Sequence, residues 1–271
     1  MGPGSAGGRT GMAAGRCVPP HRLPSPMAPA TFRFDDEADR KRGQRISRMF
    51  DRIAPTYDLL NHLLSANIDQ RWRQHTVRKL GLTGRERCLD ACTGTGDLAL
   101  ALLAGGAKEV VGSDFAPQMV SRAAEKAAAK YPDRSRFLVA DTTRLPFESG
   151  EFDVATVGFG VRNLERLDAG LADLCRVLRP GGRLAVLEFS RPPNPIFRGL
   201  YNLYFMLVLP LIGNLVSGGA ENAYAYLPRS VQAFPSPSVL ADMMKRAGFA
   251  TVEYEALTFG IAHLHLGTKA G

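Results

Sequence analysis

From residue 87 onward, short apolar runs of five to seven residues alternate with stretches whose apolar positions recur at helical spacing. Residues 87–92 form such a run and stop at a glycine pair, so they read as a strand, with a helix over 97–103. A second strand over 109–114 leads to a helix over 117–130, with Pro117 in its first turn. Residues 136–140 read as a third strand. Residues 153–158 read as a fourth, followed by a helix over 164–178. Arg179-Pro180-Gly181-Gly182 marks a sharp turn before a fifth strand over 183–189. A helix over 241–247 and strands over 251–257 and 261–266 complete the pattern. This alternation predicts an α/β fold, a doubly wound and mostly parallel seven-stranded sheet that takes ligands at the carboxyl ends of its strands.

Two stretches do not alternate. Ile46, Met49, Phe50 and Ile53 lie on one helical face, broken by Ala54-Pro55, and further helical runs hold Leu59, Leu60, Leu63 and Leu64, then Trp72. These helices, within residues 35–80, are expected to cap the active edge of the sheet. Residues 200–216 carry no charge, are split by Pro210 and include Tyr201, Tyr204 and Phe205. They are short for a bilayer span. A substrate lid or membrane-dipping segment is expected, within an insertion over 196–232, with a helix pair buried in the core as the rival reading. Residues 1–34 are rich in Gly, Pro, Ala and Arg without periodicity and read as a disordered extension, with a transit peptide as the rival reading. Residues 35–271 are then one domain.

The 271 residues carry a formal charge of +8, and 45% are apolar, an ordinary share for a globular chain. Half of that charge comes from Arg9, Arg16, Arg22 and Arg33, with no acid among residues 1–34. A second basic cluster runs from Arg40 to Arg52. Without aromatics interleaved on a recognisable module, this suits an anionic membrane surface at least as well as nucleic acid. The four cysteines form no Cys-x-x-Cys pair, and a reducing cytoplasm is expected. Cys88 and Cys92 are expected on one strand face, as core.

The candidate chemistry gathers at the strand ends. Gly94, Gly96 and Ala99 fit the spacing of a nucleotide-binding turn at a helix N-terminus. Asp90 and Asp97 flank it, so a pyrophosphate would meet two negative charges there. The ammonium and sulfonium of S-adenosylmethionine (SAM) would not. Asp114, eighteen residues after Gly96, has the spacing of a carboxylate that accepts a ribose diol. Asp141 and Thr142 end the third strand, where an adenine edge can be read. Gly158-Phe159-Gly160-Val161-Arg162-Asn163 follows the fourth strand, and Arg162 with Asn163 offers a cation and an amide to an oxyanion. His62, His75, His263 and His265 show no metal-ligand spacing, although one could accept a proton. The rivals are an NAD-dependent oxidoreductase, which lacks a nicotinamide-side His or Tyr-x-x-x-Lys here, and a nucleotide- or RNA-binding scaffold, which leaves Arg162 and Asn163 idle.

The joint occurrence of Leu89-Asp-Ala-Cys-Thr-Gly-Thr-Gly-Asp97, Leu145-Pro-Phe, Phe152-Asp-Val154, Phe159-Gly-Val-Arg-Asn163, Leu178-Arg-Pro-Gly-Gly182 and Leu187-Glu-Phe-Ser190 resembles the ubiquinone/menaquinone biosynthesis C-methyltransferases, a branch of the class I SAM-dependent methyltransferases. Met49-Phe-Asp-Arg-Ile-Ala-Pro-Thr-Tyr-Asp58, Asn61 and Trp72-Arg73 resemble that family's N-terminal signature. The resemblance implies a Rossmann-like fold, SAM contacts at Thr95, Asp114, Asp141, Thr142 and the position of Gly158, and a quinol pocket at Arg162 and Asn163. Relatives often carry serine where this chain has Gly158. It further implies C-methylation of a polyprenyl quinol without a metal, demethylmenaquinol first and the benzoquinol of ubiquinone synthesis as the alternative. The expected setting is the inner face of a membrane, as a homodimer or with other quinone-biosynthesis enzymes, and not on nucleic acid.

Overall fold

A computed structural model describes residues 1–2, 48–51, 54, 58, 62, 65, 67–199, 201, 203 and 228–271. The expected N-terminal extension, most of the first two cap helices and the apolar run over 200–216 lie largely outside the described residues.

Seven strands form one sheet in the order β3-β2-β1-β4-β5-β7-β6. They are β1 (Arg87–Ala91), β2 (Glu109–Asp114), β3 (Ser135–Val139), β4 (Phe152–Gly158), β5 (Leu178–Phe189), β6 (Phe249–Leu257) and β7 (Ala262–Lys269). The helices whose full extent is described are α1 (Ile68–Leu80), α2 (Asp97–Ala104), α3 (Pro117–Ala128), α4 (Leu167–Val177) and α5 (Pro237–Arg246). β1 to β5 are parallel, whereas β7 runs antiparallel between β5 and β6. The strand order reverses between β1 and β4, which places the ligand crevice of an open α/β sheet above their carboxyl ends.

Period-two alternation buries both faces. Leu89, Val111, Ala155, Val157, Leu184 and Val186 pack under α4 and α5, against Leu171, Leu174, Leu240 and Met244. Cys88, Val110, Val154, Ala185 and Leu264 face the other way, toward Leu98 and Leu102 of α2 and Val77 and Leu80 of α1. Cys88 and Cys92 do not share a face. The chain leaves β1 with Cys92 at φ 52°, which turns its side chain to the α4 side.

The expected turn at residues 179–182 lies inside the bounds of β5. Phe152 pairs with Leu178, but the next register pair is Val154 with Arg183, so the intervening residues bulge out around Gly181 at φ 71°. The helix expected over 164–178 begins only at Leu167, as α4, and a separate 3-10 turn over Val161–Asn163 precedes it. That break frees the Arg162 turn from the helix axis. Among the described residues no helix is long and apolar enough to cross a membrane.

Candidate active site at the carboxyl edge

The turn after β1 is held from behind. Asp90 is 1% exposed, and its two oxygens accept hydrogen bonds from Thr93 Oγ1 and Thr156 Oγ1, both at 2.6 Å. Thr156 is its register partner on β4. Burial pushes the Asp90 carboxyl up to about 6, against these hydrogen bonds. Asp90 therefore ties the turn to two strands and does not open toward a ligand, as its place beside the glycines had suggested. Gly94 and Gly96 lie at φ 55° and 87°, conformations that a side chain resists. A Cβ on Gly96 would also sit 3.0 Å from that of Ala123 on α3.

Asp114, at the end of β2, accepts the Gly94 N–H on Oδ2 and the Ala116 N–H on Oδ1, each at 2.9 Å. Each carboxylate oxygen has two lone-pair sites. The Phe115 N–H also acts on this carboxylate, so of its four sites one remains for a further donor. Burial raises this carboxyl to about 6, opposed by the backbone N–H groups of Ala116 and Gly94. The Ala140 N–H donates to the Asp114 carbonyl, so the ends of β2 and β3 stay together. Asp141 Oδ1 accepts the Thr143 N–H at 2.8 Å, and the hydroxyl of the buried Thr142 lies 3.3 Å from Cys92 Sγ. Thr95, Asp114, Asp141, Thr142 and Gly158 thus lie at or just past the carboxyl ends of β1, β2, β3 and β4.

The sequence did not show what lies over the turn. The Thr95 hydroxyl donates to Asp58. Lys126, in the last turn of α3, bridges Asp58 Oδ2 at 2.7 Å and Asp97 Oδ1 at 2.6 Å. Asp97 also lies 3.5 Å from His62 Nε2, and His62 Nδ1 lies 3.1 Å from Asp69, which Arg73 pairs at 2.8 Å. His62, Asp69 and Asp97 are close enough to chelate. Lys126 and Arg73, however, already give both carboxylates a cationic partner. The acids that were expected to face a cationic ligand are thus engaged, Asp90 internally and Asp97 by Lys126.

The second wall is the turn after β4. Phe159 has φ 58°, and a Cβ on Gly160 would lie 2.3 Å from the Cβ of Cys92. The two turns are therefore in direct backbone-level contact. Arg162 Nη1 pairs with Glu188 Oε1 at 2.6 Å, and its guanidinium lies 5.5 Å from the Phe189 ring centre. The side chains are 7% and 1% exposed. Burial raises the Glu188 carboxyl, and the Arg162 cation opposes that rise. Glu188 Oε1 also accepts the Phe189 N–H at 2.8 Å. Arg162 Nε is buried and has no hydrogen-bond partner among the described residues. Asn163 closes the 3-10 turn through its N–H to the Gly160 carbonyl, at 3.0 Å.

An aromatic cluster holds this wall against α1. Trp72 packs on Phe159 and Phe189, whose rings lie 4.5 Å apart, and Arg73 sits over Phe159. The Trp72 Nε1–H donates to Thr258 Oγ1 at 2.9 Å. The three described cysteines supply no nucleophile: burial pushes the Cys88 thiol up to about 12 and raises those of Cys92 and Cys175. His75 pairs with Glu255 at 2.7 Å, and His265 Nε2 lies 2.9 Å from the Pro237 carbonyl oxygen, with burial lowering its pKa to about 4.

Comparison with known proteins agrees with this geometry. The model of the ubiE/COQ5 methyltransferase family matches residues 38–269. A demethylmenaquinone methyltransferase of Thermus thermophilus is 52% identical over 82% of this chain and all of its own length. A protein of Geobacter sp. named ubiquinone/menaquinone biosynthesis C-methyltransferase is 45% identical over 84% of this chain and 98% of its own. Among solved structures, a SAM-dependent methyltransferase of Thermotoga maritima superposes with TM-score 0.59, at 19% identity over 82% of this chain and 98% of its own. The [4+2]-cyclase SpnF does so with TM-score 0.62, at 16% identity over 84% of this chain and 97% of its own. Both carry the same fold.

Proposed function

We propose, from the premise that this chain belongs to the ubiE/COQ5 methyltransferase family, that it methylates a ring carbon of a polyprenyl quinol, demethylmenaquinol giving menaquinol. SAM is its methyl donor, and supplies an electrophilic methyl group on a sulfonium. The residues present fit that donor. Asp114 keeps acceptor capacity for a ribose hydroxyl beside its backbone N–H partners. Asp141 and Thr142 border the adenine side, and Thr95 with Gly94 and Gly96 forms the floor, braced by Asp90. At Gly158 a Cβ would meet Leu98 at 3.1 Å, so a bare backbone in place of the serine of many relatives leaves that contact to main-chain groups.

The observation that carries the reading is the buried Arg162 cation on a turn that touches the turn after β1 through Gly160 and Cys92. Aromatic carbon becomes nucleophilic enough for methylation when a ring hydroxyl loses its proton. The Arg162 guanidinium supplies the positive charge that stabilises the resulting phenolate oxygen, and Asn163 orients the ring. The cation acts in a buried setting, where its field is stronger than in water. Glu188 balances the charge in the substrate-free protein.

A polyprenyl substrate lies in a membrane, and we place the carboxyl edge of the sheet against it. Ile196, Leu203 and Phe259 are 76%, 52% and 77% exposed there. Arg191 and Arg198 are also exposed, and no acid lies between residues 189 and 220. Apolar side chains with a basic rim suit an anionic lipid surface. Thr258 and Phe259 both have positive φ, 45° and 57°, a strained pair that turns Phe259 outward.

The test is the purified protein with SAM and the reduced, demethylated naphthoquinol, read by mass spectrometry of the quinones. Menaquinol formation is expected. Methylation of the ubiquinone-pathway benzoquinol alone would transfer the assignment to that substrate, which the naming of the Geobacter relative favours as the second reading. No methylation of either ring would refute both.

A further inference from the structure

Where β5 ends, the chain continues as Phe189-Ser190-Arg191, and the segment leading into α5 passes beside it. Between them lies a groove of about 230 Å³. Five of its lining residues, Phe189, Val231, Phe234, Pro235 and Pro237, are apolar. Its one charged residue, Arg191, is already committed through Nη2 to the Gln232 carbonyl. Ser190 and Ser236 complete a lining that is mostly apolar and suits a mainly hydrocarbon ligand.

Its position narrows the ligand further. The ring of Phe189 is a wall of the groove and also lies under the Arg162 guanidinium, at 5.5 Å. A single aromatic ring therefore separates this space from the buried cation assigned to the quinol oxygen. At roughly 30 Å³ per small heavy-atom group, the share of a liquid water molecule, the groove takes about seven or eight such groups. That is one to two branched five-carbon units. We propose that this groove binds the first isoprene units of the prenyl tail, so that the tail and Arg162 together set the ring's orientation. The proposal rests on the reading of the substrate as a prenylated quinol.

Tail recognition predicts a selective defect. Ser236 lines the groove but is exposed, so Ser236→Trp fills the space without loading the core. Two substrates with the same demethylated naphthoquinol ring are compared, one with two isoprene units and one without a tail. In the wild type the tailed quinol should have the lower KM, by roughly tenfold or more, as burial of several carbon groups gives. Ser236→Trp should remove most of that advantage, with the KM of the tail-less ring and the affinity for SAM within about twofold of wild type. Phe234→Ala, which removes a wall without adding bulk, should weaken tail discrimination in the same direction. Equal KM values for the two substrates in the wild type, or a tail preference intact in both variants, would overturn the proposal. Failure of the wild type to methylate either ring would defeat the substrate reading itself and this inference with it, and is seen before any variant is made.

Discussion

Gly160→Ala puts one methyl group into the contact between the turns after β1 and β4. Its Cβ would lie 2.3 Å from Cys92 Cβ, 3.1 Å from Cys92 Sγ and 3.2 Å from Val157 Cγ1. Carbon atoms settle at about 3.5–4.0 Å, so the turns must separate by more than about 1 Å. A change of rotamer cannot relieve this, because the closest atom is a Cβ, fixed by the backbone. Overpacking of this kind costs about 1–3 kcal/mol, and a clash with an immobile atom belongs at the upper end. At about 2–4 °C per kcal/mol for a chain of this size, Tm should fall by about 6–12 °C. Arg162, two residues on, moves with the turn, so kcat should fall more than KM for SAM rises. Cys92→Gly supplies the rescue, because it removes the opposing Cβ and relieves a non-glycine residue at φ 52°. The double variant should recover about 2 kcal/mol relative to additivity, measured by urea denaturation of all four proteins. Additive effects, or a Gly160→Ala protein within about 0.5 kcal/mol of wild type, would refute contact between the turns as the cause.

Three further outcomes are expected. Burial holds Asp114 near 6 in the folded chain against 3.8 ordinarily, so the folded state binds this proton more tightly between those values. Stability from this group is therefore full below the lower value and falls as pH rises to about 6, by about 3 kcal/mol at 1.4 per unit. SAM affinity runs the opposite way, weakening up to about tenfold per unit below pH 6 as the diol acceptor is protonated. Calorimetry from pH 5 to 8 on wild type and Asp114→Asn checks this, and matching slopes in the two proteins would exclude Asp114. Glu188→Leu should destabilise by about 3–5 kcal/mol by leaving Arg162 uncompensated, whereas Glu188→Leu with Arg162→Met should regain most of the stability and no turnover. Thermal melts and the methylation assay on both variants decide it, since turnover by the double variant would make Arg162 purely structural. Ile196→Ser with Phe259→Ser should lower co-sedimentation with vesicles rich in anionic lipid severalfold while sparing methylation of a tail-less quinol, and wild-type sedimentation by this variant would remove the edge from the membrane surface.

The sheet was legible because its signal is repetitive. β2 falls where the apolar run puts it, and β1, β4 and the two last strands shift by only a few residues. β5 was shortened in the sequence reading because Arg179-Pro180-Gly181-Gly182 signals a turn locally, and a bulge inside a strand uses the same residues. The strand-end position of a single residue was legible, as at Asp114, which closes β2. Contacts between distant segments were not. Asp58 reaches Thr95 and Lys126, thirty-seven and sixty-eight residues away, and no periodicity encodes such a meeting. Glu188 was visible as part of a motif, but its service to Arg162 depends on β4 and β5 ending side by side. The acids at the glycine turn pointed to a cationic ligand through net charge alone, whereas the structure divides that charge among Thr93, Thr156 and Lys126.

The antiparallel β7 has a consequence for how the molecule comes into being. It is made after β6 yet lies between β6 and β5, and β6 has no other partner in the sheet. During synthesis from the N-terminus, β5 must wait with a bare edge while β6 emerges unattached. That waiting edge belongs to the strand that carries Glu188. The parallel half of the sheet, with the glycine turn, can assemble early from neighbouring βα units. The wall that holds Arg162 and Glu188 becomes rigid only when the last strand slots in. Chains delayed at that point would carry a complete glycine turn beside an unfinished wall, with a seven-residue ladder open to pairing with other chains.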